Sequence, residues 1–99
     1  MTSLLITLAR VDHAGPYARY AELATRAAAL HGARFLTRGA PLQVMEGGMG
    51  VNRAVVALFD GAQQARDYYY SREYQEARQL RIGAADFEMV LADVTGPLI

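Results

Sequence analysis

Three segments of this sequence carry apolar side chains at both sets of alternating positions, which is the pattern of strands that are covered on both faces. The first segment runs from Ser3 to Val11, and its two sets are Leu4, Ile6 and Leu8 on one side and Leu5, Thr7 and Ala9 on the other. The segments Val51 to Phe59 and Asp86 to Val94 share this property. A half-solvated antiparallel sheet would alternate apolar and polar residues, so this sheet needs cover on both sides.

Helical spacing of apolar residues predicts the elements between these strands. The first helix is expected from about Pro16, which suits a first helical turn, to His31, with Gly32 as the C-terminal cap. A second helix follows Asp60, whose carboxylate is expected to cap it. Ser71 is expected to start a further helical piece.

A second strand is predicted from Arg34 to Arg38. Pro41 interrupts its extended pattern, which resumes from Leu42 to Glu46, so we expect an edge strand followed by a hairpin loop at Gly47 to Gly50. The order strand, helix, strand, strand, helix, strand predicts a single α+β domain over residues 1–99. Its expected architecture is a ferredoxin-like βαββαβ fold, with a four-stranded antiparallel sheet and both helices on one face.

Two helices leave the other face of such a sheet without cover. Leaving three or four apolar side chains of that face in water would forgo roughly 1.5–3 kcal/mol for each. It would also create a larger apolar patch than monomers usually expose. The sequence therefore predicts a homodimer joined through the open sheet face. The alternative is that the helical piece after Ser71 folds across that face.

Composition and charge argue against several classes of protein. The 10 basic and 10 acidic residues cancel, which argues against a nucleic-acid partner. The absence of cysteine excludes disulfides, thiolate nucleophiles and cysteine-bound zinc. No apolar run is long enough to span a membrane and the first ten residues do not resemble a signal peptide, so a cytoplasmic location is expected. His13 and His31 would lie roughly 27 Å apart along the first helix, so no metal site is predicted.

Arginines on predicted strands are candidates for ligand binding. Arg34 and Arg38 are four residues apart and are expected to project from one face of their strand, while Arg53 lies on the third strand. A guanidinium among apolar strand residues has to meet an anion. That anion is either a carboxylate of the chain or a small anionic ligand, and the possible carboxylates are Glu46, Glu88 and Asp86.

Tyrosine is the favoured aromatic residue, with six copies and no tryptophan. Tyr17 and Tyr20 share the inner face of the first helix, and Tyr69 marks the inner stripe of the second. These rings either fill the layer between helices and sheet or line a pocket for a small ligand. His13, in the loop before the first helix, is either a general base or a solvated loop residue. The predicted ligand-binding residues are Tyr17, Arg38, Arg53 and Tyr69, and the candidates for catalysis are His13, Glu46 and Asp86.

Several motifs together resemble the domain-of-unknown-function 1330 family. The run Gly32-Ala33-Arg34-Phe35-Leu36-Thr37-Arg38-Gly39 is followed by Glu46-Gly47, Arg53-Ala54-Val55-Val56, Tyr68-Tyr69, Ser71-Arg72-Glu73-Tyr74 and the stretch from Arg81 to Asp86. This resemblance covers nearly the whole chain and implies a dimeric α/β barrel, in which ferredoxin-like subunits pack sheet against sheet.

Barrels similar to this family include monooxygenases, haem-degrading enzymes and muconolactone isomerases. The family itself implies little about chemistry. The arginines and tyrosines predict a small-molecule-binding protein, and the analogy with these barrels gives its catalytic version, a cofactor-independent enzyme, monooxygenase-like or isomerase-like, that acts on a small organic acid. A haem role is not expected, since the second helix lacks the histidine with which haem-binding relatives hold iron, and no other cofactor is predicted. The alternative is a non-catalytic dimeric module whose arginines and carboxylates satisfy one another.

Overall fold

A computed structural model describes residues 1–96 of the chain. Its elements, in chain order, are β1 (Ser3–Val11), α1 (Ala14–Leu30), β2 (Arg34–Arg38), β3 (Arg53–Phe59), α2 (Ala62–Tyr69), α3 (Arg72–Arg81) and β4 (Ala85–Asp93). The four strands form one antiparallel sheet in the order β2-β3-β1-β4, so β2 is an edge strand, as predicted. The predicted ferredoxin-like fold is confirmed, with the second helical region divided into α2 and α3.

The strand register separates two faces of the sheet. On β1, Leu5, Thr7 and Ala9 are buried beneath the helices, and their register partners on β3 and β4 share that side. We call this side the helix face. The opposite side, which we call the open face, carries Leu4, Ile6 and Leu8 of β1, Ala54, Val56 and Leu58 of β3, and Val90 of β4.

Helix α3 packs against α1 on the helix face. Tyr74 and Ala77 of α3 are fully buried in one core cluster with Leu5 and Tyr20. The alternative that this helical piece crosses the open face is therefore wrong. The apolar stripe of α3 packs against α1. The Ser71 hydroxyl caps the first turn of α3 by accepting a hydrogen bond from the backbone N–H of Tyr74 at 3.1 Å.

The segment from residue 39 to residue 52 differs from the prediction. No described strand pairs with Leu42–Glu46, so the expected extension of the edge strand there is wrong. The backbone bond from Gly39 N–H to the Ala54 carbonyl ends the pairing of β2 with β3. Gly39, Gly47 and Gly50 adopt positive φ in this segment, a conformation that glycine permits and that bends the chain out of the sheet.

The predicted capping of the second helix by Asp60 is also wrong. Helix α2 starts one residue later, with Gly61 as its N-cap and no capping hydrogen bond from a side chain. Asp60 instead forms an ion pair with Arg34 at 3.3 Å, while its backbone N–H donates to the side chain of Gln64. The shift places the carboxylate beside the edge strand instead of over the first turn.

A β-bulge in β2 reverses the predicted placement of two arginines. Arg34 is opposite Leu58 and Arg38 is opposite Val55, so Leu36 is an extra residue without a partner on β3. Because Leu58 and Val55 belong to opposite faces, Arg34 lies on the open face and Arg38 on the helix face. The prediction that the two share a face is wrong, since it assumed an uninterrupted two-residue period.

Candidate functional site

A cavity of about 660 Å³ lies between α1 and the helix face of the sheet. We call it the pocket. Three arginines and several aromatic residues line it, among them Tyr17, Tyr20 and Arg26 of α1, Phe35 and Arg38 of β2, Arg53 of β3 and Phe87 of β4. Its volume is within the range of protein sites for small molecules, and an apolar wall with a few polar groups is their usual composition.

Two arginines enter the pocket from neighbouring strands and rest on aromatic rings. The guanidinium carbon of Arg38 lies 5.3 Å from the ring centre of Phe35, and that of Arg53 lies 5.9 Å from the ring centre of Tyr17. Arg53 also donates a hydrogen bond to the backbone carbonyl of Asn52 at 2.8 Å. Within residues 1–96, neither arginine forms an ion pair with a carboxylate. Their charges are therefore available to an anion in the pocket.

A third arginine, Arg81 of α3, lies behind this wall with only 9% of its surface exposed. Its guanidinium carbon is 3.9 Å from the ring centre of Phe87 and 5.6 Å from that of Tyr20. Its Nε atom has no hydrogen-bond partner, and no described carboxylate forms an ion pair with it. Removing a cation from water costs several kcal/mol, of which a cation–π contact offsets about 2 kcal/mol.

The tyrosine hydroxyls around Arg81 form a buried network. The hydroxyls of Tyr20 and Tyr74 are 3.0 Å apart, and Tyr68 donates to the backbone carbonyl of Ala24 at 3.4 Å. Burial raises the pKa of Tyr20 and of Tyr68 far above the ordinary tyrosine value. Burial also raises the pKa of Tyr17, although the neighbouring Arg53 opposes the effect. These tyrosines are therefore neutral hydrogen-bond donors at physiological pH and do not neutralise Arg81.

Three of the predicted site residues meet in the pocket, and four lie elsewhere. Tyr17, Arg38 and Arg53 line it together. Tyr69 lines a separate cavity of about 210 Å³ beneath α2. The remaining residues are the candidates for catalysis: His13 is exposed at the N-cap of α1, Glu46 is exposed between β2 and β3, and Asp86 forms an ion pair with Arg10 on the open face.

Glu22 of α1 is a carboxylate of the pocket that the sequence analysis did not select. It forms ion pairs with Arg19 at 3.5 Å and with Arg26 at 2.9 Å, one turn before and one turn after it. The i, i+3 and i, i+4 spacing of these charges predicts ion pairs along the helix, but it does not distinguish a carboxylate of a pocket from one on a solvated face. Among the residues that the structure describes, no cluster of three or more histidine, aspartate or glutamate side chains could hold a metal ion. None of the described helices is long and apolar enough to cross a membrane.

Comparison with known proteins gives a family and a fold. The family model of DUF1330, a domain of unknown function, matches residues 2–95. Among curated proteins, no sequence matches this chain.

Solved structures share the fold at low sequence identity. The RPA0582 protein of unknown function from Rhodopseudomonas palustris is 16% identical, with a TM-score of 0.78 over 97% of this chain and 84% of that one. A dimeric protein of unknown function with a ferredoxin-like fold, from Bacteroides fragilis, is 15% identical, with a TM-score of 0.68 over 94% and 96% of the two chains. SnoaB, a cofactor-independent oxygenase from Streptomyces nogalater, is 14% identical, with a TM-score of 0.60 over 98% and 96%.

Proposed function

This chain belongs to the DUF1330 family, and from that premise we propose that it binds a small organic acid in the pocket beneath α1. The observation that carries the proposal is the pair Arg38 and Arg53, which line an apolar cavity without a carboxylate partner among the described residues. A ligand carboxylate supplies the missing charge. The ring of Tyr17, on which Arg53 rests, packs against the carbon skeleton of the ligand.

The catalytic form of this proposal is a monooxygenase-like or isomerase-like reaction that needs no cofactor. The fold of SnoaB, described as a cofactor-independent oxygenase, supports it as an analogy. His13 is our candidate for the group that accepts a proton, because it directly precedes Ala14, a residue of the pocket wall. Glu46 and Asp86 stay predictions, and both lie outside that wall.

We also propose that two copies of the chain associate through the open face as a dimeric α/β barrel. A row of apolar side chains, Val56, Ile6 and Val90, crosses the middle of this face in register. Leu8 and Val90 are 38% and 56% exposed in the single chain, so a second copy would remove apolar surface from water. The Bacteroides fragilis neighbour and a ferredoxin-like neighbour from Thermobifida fusca are both described as dimeric, which supports the proposal.

Thermal unfolding with a panel of small aliphatic and aromatic carboxylates tests the ligand proposal. An acid present at about ten times its Kd adds ~1.4 kcal/mol of stability and raises the Tm of a domain of this size by ~5–10 °C. We expect at least one acid to stabilise the wild type, and we expect Arg53→Ala and Arg38→Ala to reduce the shift.

Arg72→Ala is the matched control, because Arg72 is an exposed arginine on α3 outside the pocket wall. Its ligand-dependent shift should equal that of the wild type. A panel in which no acid selectively stabilises the wild type would leave the non-catalytic dimeric module as the better account. Equal shifts in Arg53→Ala and in the control would also contradict the proposed site.

A further inference from the structure

A chain of hydroxyl groups joins the buried Arg81 to the pocket. The Nη2 atom of Arg81 donates to the hydroxyl of Tyr74 at 3.5 Å, and that hydroxyl lies 3.0 Å from the hydroxyl of Tyr20. Tyr74 is fully buried, and Tyr20 is the residue of the three that lines the pocket. The charge behind the wall is thus connected to the cavity through two neutral groups.

The first donor of this chain is fixed, because a guanidinium has only donors and Tyr74 therefore accepts from Arg81. Either hydroxyl of the Tyr20–Tyr74 pair can donate to the other. When an acceptor occupies the pocket, both hydroxyl protons are satisfied if Tyr74, which is fully buried, donates to Tyr20 and Tyr20 donates to that acceptor. The positive charge of Arg81 polarises both hydroxyl groups and strengthens the hydrogen bond that Tyr20 can donate, relative to the same buried tyrosines without that charge. The acceptor that matches such a donor best is an anionic oxygen.

We infer that Tyr20, polarised by Arg81 through Tyr74, binds the anionic oxygen of a second acidic group on the ligand, so that the pocket takes a hydroxylated aromatic acid. This inference rests on the proposed function, in which Arg38 and Arg53 bind the carboxylate. Tyr20 contacts the ligand, whereas Arg81 is a positioning residue.

The arrangement of the rings supports a ligand of this shape. Arg53 rests on Tyr17 and Arg81 on Phe87, and the centres of these two rings are 6.2 Å apart. Two cations therefore flank one aromatic pair, which suits a planar ring with an acidic group at each end. A single carboxylate would satisfy the arginines at the strands and leave the donor of Tyr20 without a charged acceptor.

Calorimetric titration of benzoate, 3-hydroxybenzoate and 4-hydroxybenzoate tests the inference. In the wild type, we expect the hydroxyl group to tighten binding by up to ~10-fold over benzoate in at least one isomer, the upper range for one hydrogen bond. The gain should grow as the pH rises toward the ordinary phenol pKa of about 10, because the ligand then releases its phenolic proton to solvent and presents an anionic oxygen to Tyr20. We expect Tyr20→Phe and Arg81→Gln to remove this gain, so that each variant binds the hydroxybenzoate no more tightly than it binds benzoate. Arg81→Lys, which keeps the charge, should restore part of it. Tyr70→Phe removes a hydroxyl from a residue that is 74% exposed, and should preserve the gain.

The near-ultraviolet absorbance of bound 4-hydroxybenzoate provides a readout that packing alone would not change. The phenol should ionise at a lower pH in the wild-type complex than in free solution, and the difference should vanish in Tyr20→Phe. Benzoate binding without any gain from either hydroxyl would overturn the inference and leave the proposed function intact. Absence of binding by all three aromatic acids would also overturn it, whereas the proposed function fails only if the whole carboxylate panel fails. If Arg81→Gln does not fold, Tyr20→Phe decides the question, because it removes one oxygen atom, and an undiminished gain there refutes the inference.

Discussion

The acidity of a tyrosine in this protein depends on how deeply its side chain is buried. Tyr20, Tyr68 and Tyr70 are the same residue type, yet the first two are 5% and 6% exposed and Tyr70 is 74% exposed. Burial raises the pKa of Tyr20 and of Tyr68 because the phenolate would lose its hydration. Because of these two side chains, the free energy of unfolding depends on pH in the alkaline range.

Stability should fall once the pH exceeds the ordinary tyrosine pKa of 10.0. Below that pH, Tyr20 and Tyr68 are protonated in both the folded and the unfolded chain, so their contribution is constant. Above it, the unfolded tyrosines ionise and the folded ones do not. The free energy of unfolding then decreases by about 1.4 kcal/mol per pH unit for each buried tyrosine.

Urea denaturation between pH 9 and pH 11 measures this slope. Tyr68→Phe should reduce the slope by the share of one tyrosine, and Tyr70→Phe, which removes an exposed hydroxyl, should leave it unchanged. A wild-type stability that stays flat up to pH 11 would refute the argument.

At the scale of elements, local chemistry decides where helices begin, whereas pairing decides which way strand residues point. Ser71 shows the first case, because its hydroxyl accepts from Tyr74 N–H at 3.1 Å and donates to the Tyr68 carbonyl at 2.7 Å. One side chain thus ends α2 and begins α3. The bend that it stabilises turns α3 onto α1.

Ser71→Ala should lower the free energy of unfolding by ~1 kcal/mol, the usual effect of removing a helix N-cap. Chemical denaturation at neutral pH measures the change, and the dependence of the free energy on denaturant should stay the same because the exposed area does not alter. Ser71→Thr keeps a capping oxygen and should recover most of the loss. Equal stability of the alanine variant and the wild type would contradict the capping role.

The fold could be predicted from the sequence because apolar periodicity is a property of each segment by itself. The two sets of side chains on Ser3–Val11 alternate as predicted, and Ser71 starts a helix as predicted. The predictions that were wrong concern features that depend on contact between two elements. The bulge at Leu36 is defined only by the pairing of β2 with β3. Asp60 forms an ion pair with Arg34 because the fold places β2 beside it.

The same distinction explains the site. Tyr17, Arg38 and Arg53 were selected for chemical type, and the structure brings them to one cavity. The prediction that Arg34 and Arg38 lie on one face came from their spacing, and the bulge at Leu36 places them on opposite faces. Glu22 escaped selection because its ion pairs along α1 resemble those of an ordinary solvated helix.

For the whole molecule, the open face is the feature on which the proposed dimer depends. Leu58 is 9% exposed even in the single chain, whereas Val90, across β1 on the same face, is 56% exposed. The open face is therefore apolar, with Leu58 already shielded within the single chain and Val90 exposed to water. A copy related by a two-fold axis presents the same surface in return, which is the requirement of a closed dimer.

Sedimentation at micromolar concentration should give twice the chain mass of 10.8 kDa. Val56→Asp places a carboxylate at the centre of the open face, where it would be buried without a partner, and should yield particles of one chain mass. Leu30→Asp is the control, since Leu30 is 73% exposed at the end of α1 and away from this face. Wild-type protein that sediments as a single chain would contradict the dimer.

The bulge in β2 has a consequence for comparing relatives. Because Leu36 has no partner on β3, Phe35 and Arg38 lie on the same face although two residues separate them. A homologue shorter by one residue at this point would hold its arginine on the cavity side by regular pairing, without a bulge. A homologue of equal length that pairs both intervening residues with its third strand would direct the arginine to the open face. The pairing of the edge strand, more than the presence of an arginine in an alignment, would then mark where the ligand preference of one branch departs from that of another.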